Sequence, residues 1–171
     1  MATALSGYAN GDTCLRKAVG MAPNIGRIDA YVRAASTDEQ GAMMLIEHFA
    51  LNVPNPVAMA EWWVRHLGLR VVRQVDGPPH TRFLADEAGR GVLEIYQQTK
   101  AEIPDYFSFD PLVVHVAFVV KDIRAEEKRL LAAGATSAAE IVVTPQGDEM
   151  TFLRDPWGVV IQLVKRVKAL V

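Results

Sequence analysis

Four polar residues stand inside otherwise apolar stretches of this chain. His48 lies in "LIEHFALNVPNP" and His115 in "LVVHVAFVVKDI", 67 residues apart. Glu94 lies in "VLEIY" and Gln162 in "VIQLV", 68 residues apart. An imidazole, amide or carboxylate in an apolar setting is costly unless it finds a partner. Any one of the four is ordinarily a satisfied structural residue or a solvent-facing one. All four at matched positions can satisfy one another through a single cation. Two imidazoles, a carboxylate and an amide oxygen suit Fe(II), Mn(II), Co(II), Ni(II) or Zn(II), with water completing the shell and an open position left for substrate.

The elements around these residues repeat. "IEHFALNV" reads as a strand, and "NPVAMAEWWVRHLG" as a helix with Pro56 near its start and Gly68 at its stop. "LRVVRQVD", "HTRFLADEAG" and "GVLEIYQQ" read as three further strands. The second half starts again with "VVHVAFVV". It continues with "DIRAEEKRLLAAG", a helix whose face carries Ile123, Leu130 and Leu131 and which Gly134 ends. "SAAEIVVTP", "EMTFLRD" and "GVVIQLVKR" complete it. "FLADEAG" lies over "FLRDPWG", "HFALNV" over "HVAFVV" and "VLEIY" over "VIQLV", at offsets of 69, 67 and 68 residues. The chain is a tandem pair of βαβββ units, residues 44–99 and 112–167, in a domain spanning 43–171.

Residues 1–42 lack sustained periodicity and read as a loose extension. Within them "AYVRAASTDEQ" resembles the first strand and nucleophile loop of serine recombinases, which would make Ser36 a nucleophile. No catalytic domain of about 100 residues follows it, so a remnant, a chance match or an upstream start is preferred. Met43 and Met44 read as natural starts for the compact domain.

Composition narrows the function. A net charge of −2 on 171 residues carries no basic footprint for nucleic acid. No apolar run approaches the roughly 18 residues of a membrane helix, and no signal peptide opens the chain. A single cysteine, Cys14, points to a reducing cytoplasm.

By strand period, His48 shares its face with Ala50 and Asn52, Glu94 with Val92, Tyr96 and Gln98, and Gln162 with Val164. The connection "TKAEIPDYFSFDP" carries Tyr106, Phe107 and Phe109, and reads either as a cover over a site or as a linker packed on an edge. Asn52, Tyr96, Gln98 and Phe107 are therefore the candidate substrate contacts. Arg82, Arg154 and His66 read as solvated surface, and His80 as a turn residue within reach of the pocket rim. Of the adjacent Trp62 and Trp63, one should pack on the sheet and the other is available to a dimer contact.

The paired units, with "IEHFALNV", "VVHVAFVV" and "FLRDPWGVVIQLV", resemble the vicinal oxygen chelate superfamily, which includes glyoxalase I, methylmalonyl-CoA epimerase, extradiol dioxygenases and bleomycin-binding proteins. The resemblance covers about residues 44–167. It implies an α+β fold in which two tandem βαβββ units curve into an open, incomplete barrel with the helices outside. It places His48, Glu94, His115 and Gln162 at the four metal-ligand positions of glyoxalase I and the epimerases. The closing position is usually Glu there. Gln162 can bind through oxygen but cannot act as a base, so proton transfer falls to Glu94. Glutathione-using members carry Arg four residues after the first ligand, and Asn52 in its place argues against a glutathione adduct. The resemblance implies a metal-dependent lyase or isomerase using Ni, Co, Mn, Fe or Zn on a small molecule, in a homodimer. An extradiol-type Fe(II) dioxygenase and a metal-free, antibiotic-sequestering protein are the alternatives.

Overall fold

The computed structural model describes residues 46–89 and 91–170. The extension 1–42, Ser36, Met43 and Met44 lie outside the described residues. The first unit runs β1 (Phe49–Asn52), α1 (Pro56–Leu67), β2 (Arg70–Gln74), β3 (Arg82–Ala85) and β4 (Val92–Tyr96). The second runs β5 (Val116–Val119), α2 (Ile123–Ala132), β6 (Thr136–Ser137), β7 (Val142–Val143), β8 (Glu149–Arg154) and β9 (Val160–Lys165). The strands form two sheets, ordered β1-β4-β3-β2 and β5-β9-β8-β6, with β7 also paired to β8. In each sheet the first strand lies parallel to the last, and the other pairings are antiparallel. The α+β architecture of two open βαβββ units is therefore present. One strand expected at "SAAEIVVTP" is instead two. The amides of Ala138 and Ala139 both donate to the Phe152 carbonyl, at 2.8 and 3.2 Å, and the chain bends between β6 and β7.

The helices begin and end where their capping residues dictate. Asn55 accepts from the Ala58 amide at 3.1 Å, Pro56 opens α1, and Gly68 closes it in the left-handed region. Asp122 caps α2 in the same way, through the Ala125 amide at 3.1 Å. Helix α1 buries Met59, Ala60 and Trp63 against Leu51, Leu84 and Ile95 of the first sheet. Helix α2 buries Ile123 and Leu130 against Leu153, Ile161 and Leu163 of the second. Leu131 does not join that stripe. It is 40% exposed, because it lies about 100° around the helix from Leu130.

Both tryptophans serve the chain's own packing. The Trp63 indole donates to Asp155 Oδ2 at 2.8 Å. Trp62 is half-buried, packs against both cores and donates to the Ala133 carbonyl at 2.9 Å. His66 is half-buried against Trp62, with ring centroids 5.1 Å apart, rather than solvated.

The arginines expected at the surface are also structural. Arg82 is buried and donates to the carbonyls of Val75, Thr81 and His80, at 2.7, 3.0 and 3.3 Å. His80 helps close this β2–β3 turn through Nδ1, 2.8 Å from the Asp76 carbonyl. Arg154 clamps the segment between the units, donating to the carbonyls of Tyr106 at 2.8 Å and Phe109 at 2.5 Å. Tyr106 is buried there, and its hydroxyl donates to the Asn52 carbonyl at 3.0 Å. Burial, with Tyr96 and Asp155 nearby, pushes that hydroxyl's pKa up to about 12, so it stays a donor.

Candidate functional site

Each sheet has one face against a helix and one face open. Strand pairing decides which residues share the open one. Phe83 lies opposite Glu94, and Glu94 beside Ala50, so these side chains form a row across the first sheet. His48, two residues before Ala50, faces the same way. In the second sheet Phe152 lies opposite Gln162, and Gln162 beside Ala117, two residues after His115. The internal repeat is thus reproduced as geometry.

The first pair is in contact. His48 Nε2 lies 3.2 Å from Glu94 Oε2, with the side chains 35% and 20% exposed. His48 Nδ1 meets the Glu47 carboxylate. That hydrogen bond chiefly raises the pKa of His48. Desolvation opposes it, and the charges of Glu47 and Glu94 add to it. The ring also meets Phe83 edge-on, with centroids 5.7 Å apart.

The second unit repeats the arrangement. His115 meets Phe152 edge-on at 5.3 Å, and its Nδ1 lies 3.0 Å from the Pro111 carbonyl. A carbonyl can only accept, so Nδ1 is the donor of this bond. Gln162 Nε2 makes only a long contact, 3.7 Å, to Met150 Sδ.

This donor set suits a divalent cation. An imidazole held at Nδ1 by a carboxylate or carbonyl, with Nε2 presented, is the usual state of a metal-ligating histidine. A neutral Nε2 lone pair facing a carboxylate is repulsive unless a proton or a cation stands between them. The pairs are nonetheless separate. Among the described residues, no group of three or more His, Cys, Asp and Glu side chains comes together around one point. The register accounts for this, since β1 pairs with β4 and β5 with β9. The first sheet brings His48 and Glu94 into contact, and the second places Gln162 beside Ala117, two residues after His115.

The expected substrate contacts behave differently. Asn52 is not free to greet a ligand. Its amide donates to the carbonyls of Gln98 at 3.1 Å and Glu102 at 3.3 Å, and its oxygen accepts from the Gln98 amide at 2.8 Å. The side-chain oxygen of Gln98 accepts from the Lys100 amide at 3.1 Å. Both residues fix the exit of β4 and the segment after it. Tyr96 is half-buried on β4, opposite Asn52 in the register. Phe107 is 56% exposed and lies over Gly158, in the β8–β9 turn. Sequence reasoning missed Phe83 and Phe152 as neighbours of the histidines, although both begin the repeated "FL" motifs that carry the offset of 69.

An open two-unit α+β fold hosts many functions and does not by itself fix one reaction. The model of the Glyoxalase/Bleomycin resistance protein/Dioxygenase superfamily matches residues 45–163, and the chain belongs to that family. No curated protein matches it. Among solved structures, a glyoxalase family protein from Bacillus cereus is similar with TM-score 0.62 and 17% identity, over 77% of this chain and 99% of its own. An antibiotic binding protein from a Streptomyces species is similar with TM-score 0.56 and 17% identity, over 74% and 98%. A glyoxalase family protein from Enterococcus faecalis reaches 27% identity with TM-score 0.53, over 72% and 98%. Among the described residues no helix is long and apolar enough to cross a membrane.

Proposed function

We infer that the protein is a divalent-metal-dependent enzyme of the lyase or isomerase type, acting on a small molecule through two vicinal oxygens. The contact between His48 Nε2 and Glu94 Oε2, matched by His115 and Gln162 at equivalent positions, carries this reading. His48, Glu94, His115 and Gln162 would hold the ion (Ni, Co, Mn, Fe or Zn), which would supply polarisation of two substrate oxygens. Glu94 is the one carboxylate of the four and moves the proton, while Gln162 contributes an oxygen donor and no base. Phe83 and Phe152 flank the two imidazoles and keep water from one side of each. The two pairs on separate sheets support a homodimer in which the first unit of one copy faces the second unit of the other. The exposed apolar side chain of Val119, on the face of His115 and Ala117, fits such a contact. A reducing cytoplasm suits the single cysteine.

The aromatic edges at both histidines favour a second reading. In it, the same face takes up a planar drug-like molecule without metal, as the similarity to an antibiotic binding protein allows.

Elemental mass spectrometry of the purified chain beside His115→Ala separates the two. Near-stoichiometric transition metal that drops at least tenfold in the variant is the expected result, since losing a ligand or its support costs 10- to 100-fold or more in affinity. Absence of metal after loading sinks the enzyme reading and leaves sequestration.

A further inference from the structure

The open face of the first sheet carries a residue that alternation along its strand would place elsewhere. The pairing of β2 with β3 shifts between Val71 and Arg73, so Val71 lies opposite Leu84 while Arg73 lies opposite Phe83. Without that shift Arg73 would face Arg82 on the helix side, where Val71, Gln74 and Arg82 border a cavity beside α1. Bulges re-aim side chains in this way and recur next to functional sites. Here the bulge extends the row across the sheet to Arg73–Phe83–Glu94–Ala50.

The contacts agree with the register. The Arg73 guanidinium lies over the Phe83 ring, 5.7 Å from its centroid, and the same ring meets His48 edge-on. Among the described residues Arg73 takes part in no ion pair and no side-chain hydrogen bond. Arg65, Arg70 and Arg124 likewise take part in no ion pair or side-chain hydrogen bond among the described residues, while Arg82, Arg129, Arg154 and Arg166 are engaged by carbonyls or carboxylates; what sets Arg73 apart is its place over the Phe83 ring on the open face. Arg73 is thus a cation whose planar fork is steadied by an aromatic face and whose donors are all available. It stands two strands from Glu94, about 10 Å at the usual strand spacing. The second sheet has no counterpart. Its row ends at Phe152, whose outer neighbours are the backbone amides of Ala138 and Ala139.

We propose that Arg73 binds an oxyanion at the far end of the substrate, so that the preferred ligand is a small molecule with vicinal oxygens at one end and a carboxylate or phosphate at the other. This rests on the small-molecule reading of the His48 face. A guanidinium matches both anions bidentately, and the bulge fixes their distance from the histidine pair.

Isothermal titration calorimetry on the full chain, as purified and after nickel loading, tests this with two matched pairs of probes. 2-Oxoglutarate is compared with 2-oxopentanoate, and 3-phosphoglycerate with glycerate. The expected result is that the member with the second, distal anion binds at least about tenfold tighter than its partner, which keeps only the carboxylate beside the vicinal oxygens, as one charge-assisted contact supplies. The pair that responds tells carboxylate from phosphate. Arg73→Gln should bring the ratio close to one without changing affinity for the member that lacks the distal anion, and Arg73→Lys should keep part of it. Ratios near one in both pairs for the parent, a ratio that survives in Arg73→Gln, or no binding of any probe each overturn the proposal. Metal content of the same samples judges the enzyme reading separately. Bound metal with no charge preference removes Arg73 alone, while charge-dependent binding without metal removes the metal alone.

Discussion

Replacing Asp155 with alanine is expected to lower stability at neutral pH by about 3–5 kcal/mol, a large part of the roughly 5–15 kcal/mol that holds a domain folded. Asp155 is 1% exposed. Its Oδ2 accepts the Trp63 indole at 2.8 Å, and its Oδ1 accepts the amides of Trp157 and Val159, both at 2.9 Å. Trp63 is fully buried, so removing the carboxylate leaves donors that water cannot reach, each costing about 1–3 kcal/mol. Relief of the charge offsets part of this. Burial outweighs the hydrogen bonds and pushes the Asp155 pKa up from 3.8 to about 6. The sign follows from linkage. The folded state binds this proton more tightly than the unfolded state, so the contribution is fully present below pH 4 and is lost as pH rises through about 6. The loss amounts to about 3 kcal/mol. Asp148 works in the opposite direction at lower pH. Its carboxyl is held below the usual value by the Val167 amide and Arg166, so its contribution fades only as pH falls through that depressed pKa. Urea unfolding followed by tryptophan fluorescence from pH 4 to 7 should show a declining stability in the parent and a clearly shallower decline in Asp155→Asn. A parent profile that rises across this window, or an Asp155→Ala midpoint close to the parent's, would contradict this account.

Much of this fold is legible because it is written twice. Alternating apolar residues placed the strands, though β1 and β5 each begin three residues later than the quoted stretches, just after His48 and His115, and β3 ends four residues earlier; Asn55-Pro56, Gly68, Asp122 and Gly134 bounded the helices. The break between β6 and β7 was hidden because a single carbonyl, that of Phe152, takes two successive amides, which no local pattern encodes. Asp155 could be seen as part of "FLRDPWG", but its principal partner Trp63 lies 92 residues away.

The open face was readable only in part. Period two put Asn52 and Gln98 on one side with His48 and Glu94. It could not show that the segment after β4 folds back and takes up the Asn52 amide. Period two also fails for Arg73, because one extra residue in β2 reverses its face. His48 and His115 stood out because imidazoles are unusual in apolar strands. The aromatic edges beside them did not stand out, because phenylalanines there look like ordinary core.

Gly158→Ala should be among the most damaging small substitutions in the chain. Gly158 has φ of +87°, and a Cβ built on it would stand 2.7 Å from the Phe107 amide nitrogen and 2.8 Å from two atoms of that ring. The left-handed conformation alone costs a residue with a Cβ about 1–2 kcal/mol. The close approach adds to this because Phe107 cannot simply retreat. Arg154 holds the carbonyls on either side of it, those of Tyr106 and Phe109, and the buried Tyr106 hydroxyl is bonded to Asn52. Lifting the segment would break these bonds and expose Tyr106. A total near 3–4 kcal/mol corresponds to a melting temperature lower by about 10 °C in a chain of this size, and new proteolytic cleavage between Asp105 and Pro111 should accompany it. Gly147→Ala is the matched control. Its φ is +88°, but the added carbon would meet only a Val167 methyl at 3.3 Å, a side chain that can give way. It should show the conformational cost alone. Equal losses in the two variants would mean that the contact between Gly158 and Phe107 contributes nothing, and that the segment carrying Phe107 is held by Arg154 and Tyr106 without it.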